Sequence, residues 1–375
     1  MSNRNDKNPN KTLMKYIGIY SKELKEQTNR YIYDELEVRF GTNHKNPITR
    51  NRFENTICKI KSSGWTSPPS INKNQDVLKI QSEYYNQNSG KKTMSNIRVE
   101  LNSMATIQKY CKTNSLPSQE LKANRIKFLK KKNKIANEEK LFPIDYYNFE
   151  FRVNYKQEDK MNTKSNQVKN ILEDWNTSRK TFRLLKRYSF RHATYPFRID
   201  CSIVKSSSKN RGYLIPTWNI HESEVFNNSE TYEIEIEFDN NRIKYLDSDQ
   251  NSDIYKKIRQ VIKLILSGLQ ETNFPISFSE INLTRKQYLS LIYYGEKPPE
   301  TTSRNISKYF IGPSSISLEM INIQPINKDV TDNTIREPYT VTDKADGKRK
   351  LMYINKEGKI YLIDTNMNIQ FTGCI

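Results

Sequence analysis

Two short segments carry carboxylates at every second position: Glu35 and Glu37 in ELEVRF, and Glu233, Glu235 and Glu237 in YEIEIEF. Alternate side chains of an extended strand share a face. Glu35, Glu37 and Arg39 therefore oppose Leu36, Val38 and Phe40, and the three later glutamates oppose Ile234, Ile236 and Phe238. Like charges in a row repel, and either solvent or a bound cation relieves them. Carboxylate oxygens are the donors that hard ions such as Mg²⁺ and Mn²⁺ take. An acidic edge strand shows the same pattern, because its charge discourages pairing with other chains. Two such strands in a chain of formal charge +20 favour a metal site.

Other strand-like segments place cations on one face. FRIDCSIVK aligns Arg198, Asp200 and Ser202, and FRVNYKQE aligns Arg152, Asn154, Lys156 and Glu158. FRLLKRYSFR aligns Arg183, Arg187 and Ser189, with Leu185 between the arginines and Lys186 on the opposite face. Arg98 in SNIRVE, and Lys130 or Lys131, extend the set. Taken singly, each is an ordinary solvated surface charge. Together with the acidic strands they suit charge-assisted hydrogen bonds to a polyanion. A different chemistry is offered by Lys344-Ala-Asp346-Gly347-Lys348-Arg349. A lysine becomes a nucleophile when its pKa falls, and the following cations would lower it. The bare pattern also fits a lysine on a surface turn.

These residues need elements to hold them. Residues 1–11 read as disordered, followed by a helix with Leu13, Ile17, Tyr20 and Leu24 on one side, and another after Thr49 with Phe53, Ile57 and Ile60. From about 78 to 240 the chain is mostly strands separated by Asn-, Ser- and Lys-rich loops. An open half-buried sheet and a closed barrel with a polar lumen both give this alternation. Residues 253–270 form an amphipathic helix, a second covers roughly 279–294, and EKPPETTS at 296–303 reads as a linker. Strands resume in YTVTDKADG, RKLMYIN and KIYLID. At 375 residues, two domains are expected. The charge balance favours polyanionic partners. Four cysteines without CxxC spacing do not support a zinc site, and three scattered histidines form no catalytic set. The polar N-terminus lacks an apolar signal core and no run is long enough to span a membrane, so a cytoplasmic setting is expected.

The pairing of ELEVRF with YEIEIEF resembles the signature of the triphosphate tunnel metalloenzymes, in particular the RNA triphosphatases of fungi, protozoa and large DNA viruses. The resemblance covers roughly residues 10–245. It implies a mostly β, α+β chain with an antiparallel eight-stranded barrel and flanking helices. Glu35, Glu37 and Glu237 would be Mg²⁺ or Mn²⁺ ligands, with Glu233 and Glu235 as supporting acids and Glu158 orienting a water. Arg39, Arg98, Arg152, Arg183, Arg187, Arg198, Asp200 and Ser202 would form the triphosphate-binding wall. The family carries Lys where Leu185 stands, and Thr is usual at Ser202. The implied activity is hydrolysis of the γ-phosphate of 5′-triphosphate RNA in mRNA cap formation. KADGKR resembles the first motif of the covalent nucleotidyltransferases, the mRNA guanylyltransferases and ligases. Lys344 would then accept GMP from GTP, with Asp346 and Arg349 contacting the nucleotide. Only 26 residues follow Arg349, so a truncated nucleotidyltransferase domain without guanylyltransferase competence is expected. The resulting organisation is a disordered 1–11, a tunnel domain at 12–245, a helical connection and linker at 246–304, and a guanylyltransferase fragment at 305–375. The resemblance further implies a large-DNA-virus capping enzyme in the viral factory or virion, with a methyltransferase domain or subunit as partner. A tunnel-fold hydrolase of inorganic triphosphate or NTP, and a non-catalytic basic RNA-binding module, are the competing readings.

Overall fold

The computed structural model describes residues 8–29, 31–41, 46–68, 76–86, 90–123, 125–136, 138–246, 250–294, 306–312, 317–325, 334–336, 338, 340–343 and 346–375. Backbone contacts divide the chain into two units, Met1–Glu271 and Thr272–Ile375.

The first unit is built on eight long strands: β1 (Ile32–Phe40), β2 (Asp76–Asn86), β3 (Ile97–Asn102), β4 (Ile126–Asn133), β5 (Phe151–Met161), β6 (Lys180–Arg191), β7 (Phe197–Ser206) and β8 (Thr231–Phe238). They pair in the order β1-β8-β7-β6-β2-β3-β4-β5, and β5 returns to β1. Every neighbouring pair is antiparallel, so the sheet closes into an eight-stranded barrel. Closure decides between the two arrangements that alternation allows.

The barrel is apolar outside and charged inside. Leu36, Val38, Ile199, Ile234 and Ile236 point outward and are fully buried beneath helices. Those helices are α1 (Pro9–Glu26), α2 (Arg50–Ser62) and, later in the chain, a long helix at Asn251–Gln270, which supplies Ile254, Ile258, Val261 and Ile265 to the same core. On the other side Leu78, Ile80, Val99 and Phe182 pack against α3 (Met104–Thr113) and α4 (Asn166–Glu173). With this shell covering the outer faces, the opposite face of each strand is free to be polar. The Asn251–Gln270 helix, α5, approaches α2 so closely that a Cβ at Gly268 would lie 2.6 Å from Thr56 Cα.

Several sequence expectations change here. Helix α1 starts at Pro9, inside the stretch read as disordered, because Asn8 caps Lys11 N–H and proline suits the first helical position. Helix α5 lies in the first unit, not in a separate connection. The linker 296–303 lies outside the described residues.

The second unit packs α6 (Phe278–Ile292) with an antiparallel sheet of β9 (Lys350–Ile354), β10 (Ile360–Asp364) and β11 (Ile369–Phe371). Its core contains Ile281, Tyr288, Leu289, Tyr361, Ile363 and Ile369. The described residues of YTVTDKADG form no strand, and Lys344 itself lies outside the described residues. No helix among the described residues is long and apolar enough to cross a membrane.

Candidate active site inside the barrel

Register fixes which charges meet. Glu37 stands opposite Glu237 on β8 and Asn154 on β5, and Arg39 stands opposite Glu235. Arg198 faces Glu237, Asp200 faces Glu235, and Ser202 faces both Glu233 and Arg187. Directly paired residues share a side of the sheet, so all of these point into the lumen.

Carboxylate oxygens of Glu35, Glu37 and Glu237 lie within 4.8 Å of one another. Lys131 Nζ lies 2.5 Å from Glu35, Asn154 donates to Glu37 at 3.0 Å with Arg39 Nε 4.0 Å away, and Arg198 pairs with Glu237. Three converging, largely enclosed oxygen donors with unused lone pairs fit a hard divalent cation. The titration behaviour agrees. Burial and the neighbouring Glu35 and Glu235 push Glu37 up to about 7, and burial and Asp200 push Glu237 up to about 8. Glu235 behaves oppositely. Burial would raise it, but Arg39 at 2.9 Å and Arg187 at 3.4 Å pull it down to about 2.

This separation predicts a pH effect. Between about pH 5 and 8 the folded, metal-free protein holds protons on Glu37 and Glu237 that the unfolded chain has lost. Their contribution is complete at low pH and is lost as pH rises through 7 to 8. The metal-free melting temperature should therefore fall from pH 5.5 to pH 8. Mg²⁺ or Mn²⁺ should raise it more at pH 8 than at pH 5.5, with proton release measurable by calorimetry in buffers of different ionisation enthalpy. A metal-induced shift independent of pH contradicts the assignment.

Beyond Lys131 the lumen opens into a cavity lined by Lys79, Gln81, Asn96, Arg98, Leu129, Lys131, Thr181, Arg183 and Leu214. The described lining has four cations and no carboxylate. The Arg98 Nε–H is buried without a hydrogen-bond partner among the described residues. Arg98 also holds Glu100 at 2.7 Å and Glu158 at 3.1 Å. Burial and Glu35 raise Glu158 above the usual carboxylate range.

Of the expected wall, Arg98 and Arg183 line this cavity, whereas Arg39, Arg152, Arg187, Arg198, Asp200 and Ser202 are not in its described lining. Arg152 is level with Arg39 and its guanidinium is taken by Asp145 at 2.6 Å. It stands about 20 Å along β5 from Glu158, and Arg98 is the residue that meets that glutamate. Arg39 serves the acids, with contacts to Glu233 and Glu235. Arg187 and Arg198 converge on Asp200, which is fully buried. Arg183 reaches both Glu233, at 2.8 Å, and the cavity. Lys131 enters the lumen, whereas Lys130 bonds Gln167 outside. Lys79 and Glu100 were missed, although each lies on the charged face of an alternating strand. In the second unit Asp346 is exposed, and the Arg349 guanidinium sits 5.6 Å over the Phe310 ring.

No protein-family model and no curated protein matches the chain. Among solved structures it is similar to the triphosphatase of the Mimivirus capping enzyme, with 17% identity over 67% of this chain and 97% of that one, at a TM-score of 0.38.

Proposed function

We propose that the first unit is a metal-dependent RNA 5′-triphosphatase, which converts a 5′-triphosphate RNA end to a 5′-diphosphate and releases phosphate. The observation that carries this reading is a cavity whose described lining has four cations and no carboxylate, adjoining three converging glutamates. A polyanion fits the first part and a divalent cation the second.

Glu35, Glu37 and Glu237 would hold Mg²⁺ or Mn²⁺, which when bound offsets charge on the γ-phosphate. Lys79, Arg98, Lys131 and Arg183 hold the phosphate oxygens by charge-assisted hydrogen bonds. Glu158 orients the attacking water and accepts its proton. The new bond forms between water oxygen and γ-phosphorus. The bond to the β–γ bridging oxygen breaks, and the β-phosphate leaves with its electron pair. Most of the acceleration comes from positioning and charge neutralisation. Release of phosphate from γ-labelled triphosphate RNA, abolished by chelation, tests the reading. Absence of release with either metal refutes it.

Lys79 gives a sharper test. Its closest carboxylate among the described residues, Glu100, is 3.7 Å away and already engaged by Arg98, so the ammonium has capacity for another anion. Burial, opposed by Glu100 and reinforced by Arg187 and Arg98, lowers it to about 8. Lys79→Met should raise the KM for triphosphate roughly tenfold, the size of one charge-assisted contact, and leave the fold intact. An unchanged KM removes Lys79 from the binding set.

The described cavity lining offers cations and hydrogen-bond donors that suit phosphate. This favours hydrolysis of free NTP and inorganic triphosphate as a second activity, and the ratio of kcat/KM values for RNA and ATP ranks the two. Guanylyl transfer to Lys344 rests on the resemblance of KADGKR alone. Intact-mass measurement after incubation with GTP tests it.

A further inference from the structure

Two hairpins are rooted in the cation-lined cavity. In the first, β2 leaves the lumen at Gln81 and pairs with a short strand at Lys91–Met94, matching Tyr84 with Thr93 and Tyr85 with Lys92. Asn96, where the chain returns, also lines the cavity. In the second, Lys209–Asn210 pairs with Tyr213–Leu214, and Leu214 reaches the cavity. The segments YYNQNSGKKTM (84–94) and SSKNRGYLIP (207–216) contain Lys91, Lys92, Lys209 and Arg211 but no Asp or Glu. All four cations are exposed, and none has an ion pair among the described residues. Tyr85 and Tyr213 are 61% and 80% exposed.

The far end of the lumen differs. Arg39, Arg152 and Arg191 there are paired with Glu235, Asp145 and Asp239. Arg191 lies eight residues along β6 from the cavity-lining Arg183, about 26 Å. Uncompensated positive charge is thus found at the hairpin end, where a polyanion longer than a triphosphate would meet it.

We propose that these hairpins form a docking rim for single-stranded RNA, gripping the first nucleotides behind the 5′-triphosphate. The inference rests on the triphosphatase reading of the lumen. Lys91, Lys92, Lys209 and Arg211 pair with phosphodiesters, and Tyr85 and Tyr213 offer rings on which bases stack without sequence preference. From Gln81 to the end of β2 is five residues, about 16 Å, the length of a few nucleotides. The rim makes RNA a better substrate than free triphosphate, which lacks the chain that the rim holds.

The test uses the full chain with Lys91→Glu, Lys92→Glu, Lys209→Glu and Arg211→Glu combined, and separately Tyr85→Ser with Tyr213→Ser. Each is assayed on a ten-nucleotide 5′-triphosphate RNA and on inorganic tripolyphosphate. The charge variant should raise the RNA KM at least tenfold, with kcat on RNA and all tripolyphosphate constants unchanged. Its log–log salt slope should fall by roughly 3, at about 0.7 per neutralised contact. The tyrosine variant should raise the RNA KM several-fold without altering the slope. KM values that move together for both substrates, or an RNA KM that does not move, overturn the rim. If the unaltered chain hydrolyses neither substrate, the lumen reading fails. Direct binding of the same RNA, labelled at its 3′ end, then decides the rim: tenfold weaker binding by the charge variant sustains it, and equal binding refutes it.

Discussion

Glu37→Gln should abolish metal-dependent phosphate release, by about 10³-fold or more, while leaving the metal-free protein more stable at pH 8. Both effects have one cause. Glu37 is 4% exposed, shares the lumen with Glu35 and Glu237, and binds its proton up to about pH 7 because of burial and the charges of Glu35 and Glu235. A glutamine keeps the carbonyl that accepts from Asn154 but carries no charge. Removing the repulsion is worth on the order of 1–3 kcal/mol at pH 8, a rise of several degrees in melting temperature. At pH 5.5, where the native side chain is protonated, the two proteins should melt alike. Metal should then stabilise the native protein and not the variant. Hydrolysis within tenfold of the native rate would remove Glu37 from the metal site, and a large loss of stability at pH 8 would make it a structural residue.

The alternation in ELEVRF, YEIEIEF, FRIDCSIVK and FRLLKRYSFR was enough to place Glu37, Glu237, Arg198 and Arg187 on charged faces, because strand periodicity is local. Closure was not legible: an open sheet with wet charges and a barrel with charges inside share one period. What separates them is the shell of α1–α5 outside, assembled from segments as distant as Leu13 and Ile265. Level along the barrel was equally hidden. Arg152 and Arg98 both point inward, yet only Arg98 meets Glu158, because cross-strand register is a long-range property. Lys79 and Glu100 escaped notice for a related reason. Each is a modest charge on its own strand, and their pairing spans two strands. The helix start at Asn8-Pro9 follows from its capping chemistry, which the polar composition of residues 1–11 masks.

Arg187→Met should be the most destabilising change in the lumen, and Arg183→Met, four residues away, close to neutral for stability. Arg187 contacts Asp200 at 3.2 Å and Glu235 at 3.4 Å, and Asp200 is fully buried. Removing the cation leaves buried carboxylates under-compensated, a cost of about 3 kcal/mol or more, or roughly 6–12 °C in melting temperature. Arg183 is one-third exposed and pairs with Glu233 near the cavity, a geometry worth about 1 kcal/mol at most. Its loss should instead raise the KM for triphosphate. A double substitution separates fold from function. Arg187→Met with Asp200→Asn removes one charge of each sign, so at least half of the lost stability should return, because residues in contact are not additive. Hydrolysis should stay low, since Asp200 also aligns Arg198, at 3.0 Å, beside the metal ligand candidate Glu237. Recovery of stability together with activity would show that the Arg187–Asp200 pair only holds the wall upright. Recovery of stability alone assigns it to the electrostatics of the site.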